Sequence, residues 1–126
     1  MMGAMKRTYE TGLMGEEIAA AWLREHRGMR LLETRYRTRA GEIDLILLEG
    51  ETVVFAEVKT RLKADAGLGA LAVDGRKQRR IAGAATLYLM KKGWMNRAIR
   101  FDIVEVRAEE VLHIPNAFQP GGMFCR

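Results

Sequence analysis

Residues 41–61 constrain the fold most strongly, because they read as two strands joined by a tight turn. Residues 43–48 form an apolar run interrupted only by Asp44, and residues 52–60 are rich in the β-branched and aromatic side chains that strands favour. Residues 49–51 separate the two runs, and their glycine supplies the positive φ that short hairpin turns often need. The pattern predicts an antiparallel pair of strands carrying an acidic side chain inside an apolar segment.

Length and composition predict one globular domain. The chain has 126 residues, of which 48% are hydrophobic, which is enough for one compact core. We expect a single domain over residues 1–126, with residues 1–7 and 119–126 as flexible tails. Cys125 is the only cysteine, so no disulfide can form within the chain and a reducing compartment fits best. No apolar run reaches the ~20 residues of a membrane span, so we expect a cytoplasmic protein without a membrane partner.

Apolar periodicity elsewhere predicts two helices and three further strands. The helices are expected at residues 8–27 and 76–92, the strands at 29–38, 99–107 and 111–114. In the first helix Met14, Ile18 and Trp22 recur every four residues and are expected to face the core. Residues 61–73 lack periodicity and predict a mobile loop, and Asp74 is a candidate cap for the helix that follows.

The order of these elements predicts the fold class. Short connections join the first three strands, which favours antiparallel pairing, whereas the helical crossover leaves the next strand free to pair in parallel. We therefore expect an α/β fold with a mixed β-sheet flanked by helices.

A candidate metal site follows from the hairpin. Period two places Glu57 and Lys59 on one face of their strand, and antiparallel pairing brings Asp44 near Glu57. Two neighbouring carboxylates repel unless a cation lies between them, and oxygen ligands suit Mg²⁺ or Mn²⁺. Glu16 on the first helix could add a further oxygen if that helix packs over the hairpin. A bound Mg²⁺ could polarise the phosphoryl oxygen of a phosphodiester and lower the pKa of a water molecule. Lys59 could orient that water or offset the negative charge of the transition state.

The same residues allow a structural interpretation. Glu57 and Lys59 could form only a surface salt bridge, although an Asp inside the neighbouring apolar strand argues against this because burying an unpaired carboxylate is costly. The net charge is +5, and the cations are clustered. Arg35, Arg37 and Arg39 alternate along one predicted strand face, and a second cluster begins the second helix. These clusters suggest a polyanionic partner, but charge alone is equally compatible with a solvated basic surface.

Several short motifs occur in order along nearly the whole chain. They are Gly15-Glu16, GEIDLI at residues 41–46, FAEVKTR at 55–61, Lys77-Gln78, RFD at 100–102 and HIPNAF at 113–118. This set resembles the PD-(D/E)xK nuclease superfamily, and more closely a bacterial family of small uncharacterised proteins similar to archaeal Holliday junction resolvases.

The resemblance implies a restriction-endonuclease-like core and a metal-dependent endonuclease acting on structured or branched DNA. It implies Mg²⁺ (or Mn²⁺) ligands at Glu16, Asp44, Glu57 and the carbonyl of Val58, with Lys59 as catalytic lysine and Glu16, Asp44 and Glu57 sharing the catalytic site. Expected substrate-binding residues are Arg35, Arg37, Arg61, Arg76, Lys77, Gln78 and Arg79. Because resolvases act on two-fold symmetric junctions, it also suggests a homodimer. The alternative function is a non-catalytic nucleic-acid-binding module of a DNA repair or processing complex.

Overall fold

The computed structural model describes residues 2–61 and 73–120, with side chains from residue 12 onward. The elements are α1 (Met2–Arg27), β1 (Arg30–Arg37), β2 (Glu42–Glu49), β3 (Thr52–Arg61), α2 (Gly75–Lys92), β4 (Ile99–Arg107) and β5 (Val111–Ile114). Most of the predicted loop, residues 62–72, and Cys125 lie outside the described residues. Helix α1 begins six residues earlier than predicted, so residues 2–7 are helical in the structure where the sequence predicted a tail. Neither helix is long and apolar enough, over its described residues, to cross a membrane.

The described strands form one mixed sheet in the order β1-β2-β3-β4-β5. Strands β1, β2 and β3 pair antiparallel, β3 and β4 pair in parallel, and β4 and β5 pair antiparallel. Side chains of α2 share one buried cluster with one face of the sheet, and side chains of α1 share a second cluster with the other face. The predicted mixed α/β fold is therefore confirmed, and it is consistent with a restriction-endonuclease-like core.

The face that α1 turns to the sheet differs from the predicted apolar stripe. Ala19 is fully buried, whereas Met14 and Ile18 are 61% and 43% exposed. The cause is close packing, because Gly15 lies so near Thr60 of β3 that a Cβ at position 15 would collide with the threonine hydroxyl. Small residues bring α1 onto the sheet, so its buried face is centred on Ala19 and Leu23, and of the predicted stripe only Trp22 packs, partly buried, against this cluster within the described residues.

Helix α2 begins and ends as the sequence predicted. The side chain of Asp74 accepts a hydrogen bond from the amide of Lys77, and Gly93 closes the helix in the left-handed conformation. Gly41, in the connection between β1 and β2, is buried against α2, since a Cβ there would lie 2.6 Å from the carbonyl oxygen of Arg80. The start of α2 is thus held directly beside the beginning of β2.

Candidate functional site

Strand β2 is irregular at Asp44. Its pairing with β3 runs from Glu49 opposite Thr52 to Leu45 opposite Ala56 and stops there. Ile43 packs on the α2 side of the sheet, while Leu45 packs on the α1 side, so side-chain direction does not simply alternate through this point. Freed from the ladder, Asp44 Oδ2 accepts a hydrogen bond of 2.8 Å from the amide of Val58. The carboxyl group is thereby fixed at the end of the paired region, beside Glu57.

Asp44 and Glu57 form a close carboxyl pair, as the hairpin register predicted. The Glu57 side chain is only 8% exposed. Burial and the negative charge of Glu57 raise the pKa of Asp44 from its ordinary value of 3.8 to about 7, against the opposing effect of the Val58 hydrogen bond. A hydrogen bond between the two side chains adds to this effect. Near neutral pH the pair therefore retains a proton unless a cation compensates its charge.

Lys77 supplies such a cation. Its ammonium group forms an ion pair with Glu57 Oε1, reaching the pair from the first turn of α2. Partial burial of Lys77 would lower its pKa, but the hydrogen bond and charge of Glu57, together with the charges of Asp44 and Asp74, raise it. The sequence analysis predicted Lys77 as a substrate-binding residue and did not predict its ion pair with Glu57. This contact depends on how α2 packs on the sheet.

Glu16 of α1 lies near the carboxyl pair. Its charge adds to the elevation of the Asp44 pKa, so the three predicted acidic residues lie within electrostatic reach. However, Glu16 Oε1 accepts a 2.9 Å hydrogen bond from Arg35, whose φ of +48° departs from extended strand geometry. Over the described ranges, no three Asp, Glu, His or Cys side chains converge closely enough to hold one metal ion. The structure thus brings the acidic residues into one region, with Arg35 and Lys77 pairing two of them.

Lys59 lies on the same face of β3 as Glu57. Its side chain is half-buried and makes no hydrogen bond or ion pair within the described part of the chain. In the parallel register Lys59 is opposite Glu105 of β4, a fully buried residue. Arg107 donates to Glu105 Oε1 at 3.2 Å, and Oε2 has no hydrogen-bond partner there. The sequence motifs assigned no function to Glu105.

The predicted basic stripe on β1 does not lie on one face. Arg35 points inward to Glu16, Arg37 is 67% exposed and pairs with Glu42 at 3.2 Å, and Arg39 lies beyond the end of β1. The positive φ of Arg35 interrupts the strand alternation that the prediction assumed.

Basic residues instead meet in a groove of about 420 Å³ between the start of α2 and the β1–β2 connection. Its charged lining comprises Arg37, Arg76, Lys77 and Arg80, with Glu42 and Asp74. Of the other predicted substrate-binding residues, Arg79 is exposed on α2 and Arg61 ends β3, while the Gln78 side-chain amide donates to the carbonyl of Val73 at 2.7 Å. Lys77 links the groove to the carboxyl pair, because it lines one and contacts the other.

A second polar cluster lies on the α1 side of the sheet. Asp102 is fully buried and accepts hydrogen bonds from Arg100, the amide of Asn116 and His113 Nε2. Arg27 donates to His113 Nδ1, so the proton of a neutral imidazole resides on Nε2 and points at Asp102. Burial would raise the pKa of Asp102, but the His113 and Arg100 hydrogen bonds outweigh it and hold the pKa below its ordinary value. This cluster joins β4 to the segment after β5 and is structural.

Comparison with known proteins shows relatives of similar length. A UPF0102 protein of Geobacter metallireducens is 40% identical over 112 residues, which cover 86% of this chain and 91% of the relative. Similar proteins from Alkaliphilus metalliredigens and Syntrophus aciditrophicus are 42% and 45% identical over 110 and 106 residues, covering 85% and 84% of this chain and 96% and 83% of the relatives. The profile of the uncharacterised protein family UPF0102 matches residues 15–106, which include Glu16, Asp44, Glu57, Lys59 and Lys77. The chain therefore belongs to the uncharacterised protein family UPF0102.

Proposed function

We propose that this protein is a metal-dependent endonuclease that hydrolyses phosphodiester bonds in structured or branched DNA. The observation that carries the proposal is the carboxyl pair of Asp44 and Glu57, sequestered at the end of the β2–β3 ladder with the pKa of Asp44 raised to about 7. A purely structural surface salt bridge does not require a second carboxyl group beside it. The resemblance of the motif set to PD-(D/E)xK nucleases supports the same assignment.

The chemistry of the pair fits a divalent cation. Asp44 and Glu57 present carboxylate oxygens, the donors that Mg²⁺ and Mn²⁺ prefer, and a cationic group already contacts Glu57 in the form of Lys77. Asp44 and Glu57 would hold the ion, with the carbonyl of Val58 and Glu16 as the further oxygen donors that the motifs suggest. Glu16 would first have to release Arg35. When bound, Mg²⁺ supplies polarisation of a phosphoryl oxygen and a lowered pKa for a water molecule.

The chain's own residues complete the reaction site. Lys59, on the same strand face as Glu57 and without an ion pair in the described residues, would place positive charge against the phosphorane-like transition state. The groove formed by Arg37, Arg76 and Arg80 would align the nucleic-acid backbone by contacts to phosphates. These contacts carry no sequence information, in keeping with an enzyme that recognises DNA structure.

Cleavage assays test the proposal directly. The purified protein should cut at least one of four labelled substrates, namely a four-way junction, a flap, single-stranded DNA and duplex DNA, in Mg²⁺ or Mn²⁺. Asp44→Ala and Glu57→Ala should each reduce the rate by a factor of about 100 or more, since removing one stabilising group of a transition state has effects of this order. Glu109→Ala, the same kind of change at an exposed carboxylate, serves as the matched control. Absence of cleavage on all four substrates, or cleavage unaffected by both alanine variants, would refute the assignment.

A second candidate is a nucleic-acid-binding module without catalysis. Two ion pairs favour it, that of Glu16 with Arg35 and that of Glu57 with Lys77. Among the described residues, no three acidic side chains converge to hold a metal ion. Such a module would bind DNA in a salt-sensitive manner that Arg76→Ala weakens, while added metal and Glu57→Gln leave the affinity unchanged. Metal titration calorimetry separates the candidates, because only the nuclease is expected to take up Mn²⁺.

A further inference from the structure

Lys77 is placed between two regions with different chemistry. Its ammonium group contacts the Glu57 carboxylate, which is 8% exposed, while 48% of the Lys77 side chain remains exposed along the basic groove. The Lys77 amide is held by the Asp74 cap, which fixes the backbone at this point. The long, flexible side chain can therefore move between carboxylate and groove by rotation about its own bonds, without any change in α2.

A divalent cation that binds Glu57 meets a carboxyl group that is already engaged. Its carboxyl group is engaged by Lys77 and by the hydrogen bond with Asp44, and little of its surface is open. A divalent ion bound between Asp44 and Glu57 would also repel an ammonium group in contact with Glu57. Occupation by the ion and by the Lys77 ammonium group are thus alternatives.

We propose, on the basis of the proposed function, that Lys77 is the counter-ion of the metal-free site and that a divalent cation displaces it. The displaced ammonium group moves into the groove and joins Arg37, Arg76 and Arg80 in binding phosphate. The displaced charge is then added to a surface that already carries three arginines beside Glu42 and Asp74. Metal binding and nucleic-acid binding consequently strengthen each other, and the coupling is reciprocal. Lys77 thereby couples occupation of the metal site to the positive charge of the substrate groove.

Metal affinity gives the first test. Lys77→Met removes the competing charge and should bind Mn²⁺ about tenfold more tightly than the wild type, by titration calorimetry or by electron paramagnetic resonance of free Mn²⁺. Lys77→Arg keeps the charge and should remain near the wild type. Lys91→Met, the same change at the far end of α2, is the matched control and should leave the affinity unchanged. If the wild type binds Mn²⁺ and Lys77→Met binds it no more tightly, this inference is wrong but the proposed function stands. If neither the wild type nor any variant binds Mn²⁺, both the inference and the proposed function are wrong.

Nucleic-acid affinity gives the second test. With a labelled four-way junction, Ca²⁺ in place of EDTA should strengthen wild-type binding about fivefold to tenfold, and this gain should fall to less than twofold in Lys77→Met. An equal gain in both proteins contradicts the proposed coupling.

The wild-type protein offers a test that does not depend on folding of a variant. In ¹⁵N-labelled protein, the signal of the Lys77 ammonium group should be visible in EDTA, because a partly buried ion pair slows its exchange with water. Saturating Mg²⁺ should shift this signal or broaden it beyond detection. An unchanged signal at an Mg²⁺ concentration that stabilises the protein against heat overturns the displacement.

Discussion

Asp44→Asn should stabilise the metal-free protein at alkaline pH, although it removes a charged group from the site. Asp44 binds its proton more tightly in the folded state, where its pKa is raised from 3.8 to about 7, than in the unfolded state. The folded protein therefore loses stability as pH rises between these two values. The shift of roughly 3 units corresponds to a maximum of about 4 kcal/mol. Because Asp44 is partly accessible to solvent, we expect about half of this, roughly 2 kcal/mol.

Urea or thermal unfolding in EDTA measures the effect. At about pH 8 the Asn variant should be more stable by about 2 kcal/mol, a rise in Tm of roughly 8 °C, and the difference should nearly vanish at about pH 4. Asparagine can still accept the hydrogen bond from Val58, so the local backbone should be retained. Asp102→Asn is the matched control with the opposite sign, since the pKa of Asp102 lies below its ordinary value and loss of its charge should destabilise the protein near neutral pH.

Two outcomes would contradict this reasoning. A variant that is no more stable than the wild type at pH 8, or whose advantage does not grow between pH 4 and pH 8, would show that burial of the carboxyl pair is not costly. Added Mg²⁺ extends the test, because it should raise the Tm of the wild type and leave Asp44→Asn almost unaffected. Equal stabilisation of both proteins would place the ion elsewhere.

Three further predictions concern the groove, the packing of α2 on the sheet and the buried Asp102 cluster. Arg80→Ala should weaken junction binding about threefold to tenfold and lower the salt dependence of log Kd by about one, as loss of one phosphate contact does, and titrations at several salt concentrations would show it. Gly41→Ala should destabilise the protein by about 2 kcal/mol in urea unfolding, because the new Cβ meets the backbone carbonyl of Arg80 at 2.6 Å, whereas Gly75→Ala should be neutral or stabilising. Stability should also fall on acidification through the lowered pKa of Asp102, since its ionised form accepts the hydrogen bonds from Arg100 and His113, and His113→Ala should reduce that acid-dependent loss in a pH series of unfolding curves.

Features of the fold that depend on neighbouring residues were predictable from the sequence. The bounds of β4 and β5, the Asp74 and Gly93 caps of α2 and the mixed pairing follow from alternation, capping chemistry and connection length. The approach of Asp44 to Glu57 follows in the same way, because the turn at residues 49–51 fixes the register of the hairpin. These properties are determined by the local sequence, and long-range packing does not alter them.

Contacts between distant elements were not predictable. The Lys77–Glu57 ion pair depends on the position of α2 over the sheet, which the close approach of Gly41 to Arg80 sets and no periodicity reveals. Arg35 turns inward because its φ is positive, a conformation that side chains other than glycine rarely adopt and that strand alternation does not foresee. The α1 face was misplaced because an apolar pattern cannot show where a glycine permits close packing.

The two outer strands of the sheet have a consequence for association. In β1, a bulge between Leu31 and Glu33 shifts the register, and the backbone of Arg35 has a left-handed conformation. At the other border, β5 has only four residues. An incoming strand needs a long, regular row of amide and carbonyl groups, and within the described residues neither border provides one. The sheet is therefore protected against edge-to-edge polymerisation, and this protection comes from the same distortion of β1 that directs Arg35 to Glu16.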